Sequence, residues 1–243
     1  LLGFILPAIL LLKMALTEGD AQFGERFLVL ARNSFVLAGV TATIAVLLAL
    51  LMGYGARLSK TAFANGLNRL VGLGYAVPGA VIAVGVLIPV TRLDNWLAGQ
   101  WEVWFGHNPG LLLTGGIAAL IYAYLVRFLA VALHTVESSL AKITPNMDDA
   151  ARSLGLGQGE TLRRVHIPML RGSLLTAGLL VFVDVMKELP ATLVMRPFNF
   201  DTLATQAYTL ASDERLAEAS TAALAIVAVG LLPLIALSRQ ITA

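Results

Sequence analysis

Residues 34–56 read SFVLAGVTATIAVLLALLMGYGA and contain no charged side chain. As an α-helix, these 23 residues rise about 34 Å, which exceeds the roughly 30 Å of hydrocarbon in a lipid bilayer. Because lipid offers the backbone no hydrogen-bond partner, such a run crosses the membrane as a helix or as part of a closed barrel of strands. The run is continuously apolar and does not alternate in polarity, which excludes the barrel. Residues 34–56 therefore predict a transmembrane helix.

Five further apolar segments extend this pattern along the 243-residue chain, at residues 1–16, 70–90, 111–133, 172–195 and 218–238. Hydrophobic residues make up 58% of the chain and charged residues 13%, against roughly 45–50% and about 25% in soluble domains. Both figures are typical of a protein that lies largely in lipid. The sequence therefore predicts an all-α integral membrane protein, in which residues 1–243 form a single transmembrane domain with a six-helix bundle.

Several classes of function are excluded by the composition. The chain has no cysteine, so it carries no disulfide, thiol nucleophile or Cys-based zinc site. Its three histidines lie far apart without metal-ligand spacing, so we predict neither a catalytic set nor a metal site. A net charge of +2 gives no reason to expect a nucleic-acid partner. The phosphate-binding pattern G-x-x-x-x-G-K-[ST] does not occur, and we therefore expect no ATPase site in these residues.

The basic residues divide unevenly between the two sides of the membrane. If the first segment runs outward, nine Lys and Arg residues fall in the inner connections and five in the outer ones. Because positively charged loops stay in the cytoplasm, this division predicts that both termini are cytoplasmic. The chain begins at Leu1, without Met and already inside an apolar run, which suggests a processed chain or a piece of a longer one.

The longest connection joins the fourth and fifth segments and covers residues 134–171. Long ordered connections are usually functional. Thr-Pro at 144–145 is a favourable helix start, and the helix is expected to end at Gly155. A second short helix is expected over residues 160–166, stopped by Pro168. The connection therefore predicts a rigid helix–turn–helix on the cytoplasmic face, which a soluble partner can bind.

Within this connection, one run keeps the spacing of a known motif over twenty positions. It reads Asp149-Ala150-Ala151, three residues, Gly155, nine residues, and then Val165-His166-Ile167-Pro168. The run resembles the EAA loop in the permease subunits of binding-protein-dependent ABC importers, with Asp, Val and Ile in place of that motif's Glu, Ile and Leu. In that family the loop is the coupling helix that docks in a groove of the ATPase subunit. The resemblance implies that the docking residues are Asp149, Ala150, Ala151, Gly155, Ile167 and Pro168.

Shorter strings are similar to those of ferric-iron ABC permeases, a narrower group of the same family. They are Gly74–Gly79, Tyr124–Phe128, Lys187–Thr192 and Asp201–Thr205. The resemblance implies the ABC type I importer permease fold, a bacterial inner membrane location and ferric iron as the cargo. Thiamine, polyamine and sulfate permeases share the architecture, so these cargoes stay open.

The resemblance also implies which partners the chain works with. They are the lipid bilayer, a dimer of cytoplasmic ATP-binding subunits, a periplasmic substrate-binding protein and a second six-span permease half. ATP and Mg²⁺ then belong to the partner ATPase, and this chain needs no cofactor of its own. Related permeases often carry both six-span halves in one polypeptide, and the start at Leu1 would fit the C-terminal half of such a protein.

Three charged residues interrupt the fifth apolar segment: Asp184, Lys187 and Glu188. Asp184 is expected about 16 Å from the cytoplasmic end, near the middle of the bilayer, where an isolated charge costs on the order of 2.5–3.5 kcal/mol. Spacings of three and four residues place all three on one helix face and allow Lys187 to pair with Asp184. We expect this face to line the translocation path or the interface with the other half, where carboxylates would suit ferric ion. A purely structural network of ion pairs is the alternative.

Two functions account for these features. The first is a transport subunit: a passive membrane path whose opening is driven by ATP hydrolysis on a separate protein, through the loop at 134–171. The second is an ion-coupled secondary transporter that uses the carboxylates of the fifth segment, but this function does not explain the loop. Neither function makes the chain itself an enzyme.

Overall fold

The structure is a computed structural model that describes residues 2–17 and 24–241, without the side chains of residues 2, 232–234 and 236–241. In these ranges the chain forms eleven α-helices and no strand. The helices are α1 Leu2–Thr17, α2 Glu25–Ser59, α3 Ala62–Gly72, α4 Gly79–Phe105, α5 Ala118–Leu140, α6 Pro145–Ser153, α7 Gln158–Thr161, α8 Ile167–Met186, α9 Pro190–Met195, α10 Leu203–Ser212 and α11 Leu216–Ile241.

Each of the six predicted segments overlaps an apolar helix. By length and composition, four helical stretches of the described chain can cross a membrane: Glu25–Ser59, Gly79–Phe105, Ala118–Leu140 and Gln158–Met186. Two shorter apolar stretches, Gly3–Thr17 and Leu216–Leu231, correspond to the first and last predicted segments. The prediction of an all-α membrane protein is therefore confirmed.

The chain divides into two compact units, each assembled from segments that are distant in sequence. The first unit contains Leu1–Val40, Pro78–Ala123 and Val183–Ala243, and within it α11 packs against α1 and α10 while α4 packs against α9. The second unit contains Thr41–Val77 and Tyr124–Phe182. Small and branched apolar side chains fill the interior of this second unit, among them Ala45, Ala49, Leu133, Val136 and Val181. The predicted loop at 134–171 lies wholly within the second unit.

The third predicted segment, residues 70–90, is not one helix. α3 ends at Gly72, a 3₁₀ turn covers Leu73–Ala76, and α4 begins only after Pro78. Pro78 has extended backbone angles (φ −57°, ψ 138°), and its ring lacks the N–H that a helix interior requires. Gly74 passes so close to α5 that a Cβ there would overlap the carbonyl oxygen of Val126. The chain therefore breaks here to bring its backbone against α5.

The fourth predicted segment, residues 111–133, begins later than expected because its first residues are held outside any helix. The buried carboxylate of Asp94 on α4 accepts backbone N–H bonds from Leu112 at 2.7 Å, Leu113 at 3.0 Å and Thr114 at 2.8 Å, and a hydroxyl bond from Thr114 at 2.7 Å. These N–H groups take the carboxylate as their acceptor in a turn, and α5 starts at Ala118.

The fifth predicted segment, residues 172–195, is interrupted near its C-terminal end. α8 starts earlier, at Ile167, and ends at Met186, and the short helix α9 begins at Pro190. Pro190 lacks the N–H that a continuous helix would need, and it occupies the first position of α9, where that N–H would have no partner within the helix. Asp184 therefore lies in the last turn of α8, whereas Lys187 and Glu188 lie in the break between α8 and α9.

Candidate functional site

The loop at 134–171, predicted to be cytoplasmic, is built around α6, whose two ends are set by local sequence. Thr144 precedes the helix in an extended conformation (φ −72°, ψ 151°), and Pro145 occupies the first helical position. At the other end Gly155 adopts the left-handed conformation (φ +83°), and the Leu156 N–H donates to the carbonyl oxygen of Ala151 at 3.1 Å. Both predicted ends of this helix are confirmed, and α6 is a helix of nine residues.

The predicted docking residues differ in their exposure. Asp149, Ala150 and Gly155 are exposed, whereas Ala151 is buried. Leu154, which the motif does not include, has an exposed fraction of 81%, high for a leucine in a loop outside the membrane. α6 and its C-cap therefore present polar groups together with the small and apolar Ala150 and Leu154 to solvent, and keep Ala151 inside.

The second predicted helix of the loop does not stop at Pro168. α7 covers Gln158–Thr161, a π-turn covers Leu162–His166, and the chain continues directly into α8. The N–H of Ile167 donates to the carbonyl of Leu162, five residues earlier, in the π pattern. A wider turn of this kind accommodates a proline ring that would otherwise clash with the carbonyl four residues before it. Ile167 and Pro168 are therefore the base of α8, and the loop and the fifth span form one helical path.

Behind α6 lies a group of three side chains, Arg57, Asp148 and His166, which we call the Arg57 cluster. Arg57, near the end of α2, donates to Oδ2 of Asp148 from Nη2 at 2.7 Å and from Nε at 3.2 Å. The same guanidinium donates to the backbone carbonyls of Leu140 at 2.8 Å and Ile143 at 2.9 Å. One side chain thus binds the end of α5, the connection that follows it and the first turn of α6.

His166 completes the Arg57 cluster from the π-turn. Its ring is fully buried, and Nε2 lies 2.6 Å from Oδ1 of Asp148. Because a carboxylate only accepts, Nε2 is the donor. Tyr54 stands edge-on to the imidazole at 5.2 Å between ring centroids, and its hydroxyl donates to the carbonyl of Gln158 at 2.9 Å. α2 is therefore tied to the start of α6 and to the residues that lead into α8.

The electrostatics of the Arg57 cluster favour the ionised carboxylate. Partial burial acts to raise the pKa of Asp148, but hydrogen bonds from Arg57 and His166 and the charge of the guanidinium outweigh it. The pKa of Asp148 therefore lies below its ordinary value of 3.8. A cavity of about 210 Å³ adjoins the cluster, and its lining includes Lys60, Asp149 and Arg152.

The charged residues of the fifth segment lie in the first unit. Lys187 Nζ is 2.8 Å from Oδ1 of Asp184, so the predicted ion pair is present. The Lys187 side chain has an exposed fraction of 58%, whereas that of Asp184 has 12%, and Glu188 is buried. Glu188 Oε1 accepts the N–H of Ala191 at 3.3 Å, and the Thr192 hydroxyl donates to the Glu188 carbonyl at 2.5 Å. The three side chains do not share one exposed face: both acids are buried, and the Lys187 side chain is largely exposed.

Sequence reasoning missed Arg57, Asp148 and His166 as a group. In the sequence, Arg57 is one of the nine basic residues of the inner connections, and Asp148 is an acid in the first turn of a short helix, so neither residue points to the other. A partly usable signal existed: a histidine occupies the variable position of the motif that ends at Pro168. Within residues 2–17 and 24–241, no three His, Asp or Glu side chains are grouped so that they could hold a metal ion.

Comparison with solved structures supports the fold. The chain aligns over its full length with 92% of a chain in a bacterial ABC transporter involved in the import of the acidic polysaccharide alginate, with a TM-score of 0.71 and 18% identity. The alginate transporter in complex with its pentasaccharide-bound periplasmic protein aligns over 98% of this chain and 90% of that chain, with a TM-score of 0.68 and 17% identity. The permease fold of ABC importers, expected from the sequence, is therefore confirmed.

Similar sequences include transport permeases for different cargoes. An Fe(3+)-transport system permease protein of Haemophilus influenzae is 28% identical over 91% of this chain, which spans 40% of that relative's length. A putative 2-aminoethylphosphonate transport system permease protein of Salmonella typhimurium is 26% identical over 84% of this chain and 67% of its own length. A trehalose transport system permease protein of Mycobacterium tuberculosis is 25% identical over 68% of this chain and 54% of its own length.

The family assignment rests on most of the chain. Residues 45–242 match a family described as the inner membrane component of binding-protein-dependent transport systems. This match covers α3 to α11 completely, together with the C-terminal part of α2 from residue 45. The chain therefore belongs to the family of binding-protein-dependent transport system inner membrane components.

Proposed function

We propose that this chain is the membrane-spanning permease subunit of an ATP-driven importer, and that its loop at 134–171 docks on a separate cytoplasmic ATPase. The observation that carries the proposal is the geometry of α6. A nine-residue helix with Pro145 at its start and Gly155 at its end presents Ala150 and Leu154 to solvent. Exposed apolar groups on a rigid element outside the lipid are typical of a surface that binds a partner.

We choose among the predicted docking residues by their exposure. Asp149, Ala150 and Gly155 stay in the set, and Leu154 joins it because of its exposure. Ala151 is buried, so we assign it to packing beneath the docking surface. Ile167 and Pro168 begin α8, and we assign them to the connection between the loop and the span.

The proposed partners follow from the family and from the chemistry of the chain. We propose a dimer of ATP-binding subunits, which holds ATP and Mg²⁺, at the loop, and a substrate-binding protein at the outer face. A second six-span half, fused or separate, completes the path. The basic inner connections support an orientation with both termini in the cytoplasm.

For the cargo we propose ferric iron, supported by the similarity to a Haemophilus permease named for Fe(3+) transport. The charges of the fifth segment refine this proposal. Its two acids are turned inward, and the exposed charge belongs to Lys187. An ammonium at membrane depth is too costly to face lipid, so we place it toward the path or the second half. An exposed cation favours iron bound to an anionic ligand over a bare ferric ion.

The proposal is tested by isolating the intact assembly. We expect that the protein extracted from its membranes in mild detergent carries a nucleotide-binding subunit, and that the assembly hydrolyses ATP. Deletion of residues 145–157 from a correctly inserted protein should remove that subunit. Recovery of the protein without an ATPase, under conditions that keep the second permease half attached, would overturn the proposal.

An ion-coupled secondary transporter is the second candidate. Its support is the presence of Asp184 and Glu188 at membrane depth, but Asp184 is paired with Lys187 and Glu188 caps the start of α9. Uptake in vesicles that lack ATP but carry an ion gradient would favour this candidate. We expect no uptake under that condition.

A further inference from the structure

The Arg57 cluster joins three helices through one carboxylate. The Asp148 carboxylate accepts a hydrogen bond from Arg57 on Oδ2 at 2.7 Å and one from His166 on Oδ1 at 2.6 Å. Arg57 belongs to the end of α2, Asp148 to the first turn of α6, and His166 to the π-turn that continues into α8. Both oxygens of the carboxylate are therefore used, each by a different helix.

The neighbouring carboxylate faces the other way. Successive residues of a helix are turned about 100° from each other, so Asp148 and Asp149 project from different sides of α6. Asp149 is exposed and pairs with Arg152 at 3.2 Å on the surface. Asp149 therefore belongs to the outward surface of α6 that we have proposed for docking. Asp148 belongs to the inward side, where it attaches α6 to α2 and to the start of α8.

The inward attachment is stiff because it is charge-assisted and has several contacts. A guanidinium holds its donors in a fixed plane, and here it binds one carboxylate and two backbone carbonyls at once. The imidazole is fully buried, which removes competition from water for its bond to Asp148. A displacement of α6 would break several of these bonds unless α2 and the start of α8 moved with it.

We propose that Asp148 is a positioning residue that makes α6, the end of α2 and the start of α8 move as one body when the docked ATPase moves. This inference rests on the proposed function, because it requires a moving partner on α6. In this role Asp148 touches neither cargo nor nucleotide. It converts a shift of the docking helix into a shift of the two membrane helices.

The test measures a distance within the assembled transporter. Since this chain contains no cysteine, Leu58→Cys on α2 and Ser153→Cys on α6 place two spin labels at exposed positions. The distance between the labels is measured with the ATPase bound, first without nucleotide and then with ADP and vanadate. For the otherwise unchanged chain we expect the same distance in both states.

Two variants weaken the attachment in different ways. Asp148→Asn removes the charge, and Arg57→Lys keeps the charge but cannot bind one carboxylate and two carbonyls in the same planar arrangement. In both we expect the ATPase to stay bound while the distance changes between nucleotide states by on the order of 1–5 Å, the range of helix shifts in switching proteins. Glu160→Gln is the matched control, because Glu160 is an exposed acid of the same loop that pairs with Arg164 at 3.3 Å.

Several results would overturn the inference. One is a nucleotide-dependent distance in the unsubstituted background, since α2 and α6 would then not move together. Another is an unchanged distance in both variants, which would make the cluster a fixed scaffold that does not depend on this carboxylate. Loss of the ATPase from both variants would assign Asp148 to the docking surface instead. Absence of the ATPase already from the unsubstituted protein is a different result, and it would contradict the proposed function.

Discussion

At Lys187, an exposed ammonium stands beside a largely buried Asp184 carboxylate, 2.8 Å away. This asymmetry matters because a path attracts cargo through the charge that it exposes, and a paired acid turned inward contributes little to that charge. Substitutions of Lys187 therefore test the proposal about the cargo, because they change the exposed charge and their effect on uptake can be measured.

We expect Lys187→Glu to reduce uptake of radiolabelled ferric iron by tenfold or more, about 1.4 kcal/mol, because it reverses the exposed charge. Lys187→Arg keeps the charge and should keep most of the uptake. Arg215→Gln is the control, since Arg215 is an exposed cation that pairs with Glu218 elsewhere in the same unit. Each variant must still assemble with the ATPase. Undiminished uptake by the assembled Lys187→Glu protein would remove Lys187 from the path.

Asp148 predicts a dependence on pH whose sign follows from its pKa. Because hydrogen bonds and the Arg57 charge hold that pKa below 3.8, the ionised carboxylate stabilises the folded loop at every pH above 3.8. The stabilisation is lost as the pH falls through the lower pKa of the folded state. A spin label at Ser153→Cys should therefore become more mobile below about pH 4. With Asp148→Asn the label should be mobile at neutral pH already and show a weaker change, and an identical pH profile in the two proteins would contradict the assignment.

At the scale of elements, α6 shows which features local sequence determines. A Thr-Pro start and a glycine in the left-handed conformation lie next to each other in the chain, so the helix could be predicted from them. The continuous path from α7 into α8 could not be predicted from local sequence, because a proline at position 168 normally ends a helix. The π-turn before Pro168 makes room for the proline ring, and nothing in the local sequence indicates that turn. The Arg57 cluster was equally hidden, since it joins side chains 91 and 18 positions apart.

The turn after α6 predicts different outcomes for two glycines of the loop. Gly155 has φ +83°, whereas Gly159 lies within α7, and a Cβ at either position meets nothing within 4 Å. Gly155→Val therefore adds backbone strain alone, about 1–2 kcal/mol or more, and should lower the recovery of bound ATPase about tenfold. Gly159→Val adds the same bulk without that strain and should leave recovery unchanged. Equal loss in both variants would point to crowding of the docking surface and not to the turn.

At the scale of the whole molecule, the six apolar segments and the family could be recognised from sequence, because long hydrophobic runs and a spaced motif are both continuous in the chain. The helix boundaries could not be placed, since contacts between distant residues set them. The carboxylate of Asp94 holds residues 112–114 outside α5, and Gly74 brings the chain against Val126. Neither contact leaves a local pattern.

The predicted orientation is tested by labelling single cysteines in intact cells. Ser153→Cys lies in an inner connection and Ser212→Cys in an outer one, and both positions are exposed. A membrane-impermeant thiol reagent should label Ser212→Cys from outside and reach Ser153→Cys only after the cells are opened. The reverse pattern would place both termini outside.

The length of α2 carries a consequence for the lipid around the protein. Its 35 residues make it about 52 Å long, roughly 20 Å more than the hydrocarbon layer, and Arg57 lies in its last turn. Lipids with longer acyl chains raise the hydrocarbon boundary along this helix and bring it nearer to a guanidinium that must stay hydrated or paired. We therefore expect this end of α2 to respond to membrane thickness, and transport rates compared in bilayers of different acyl-chain length would measure the response.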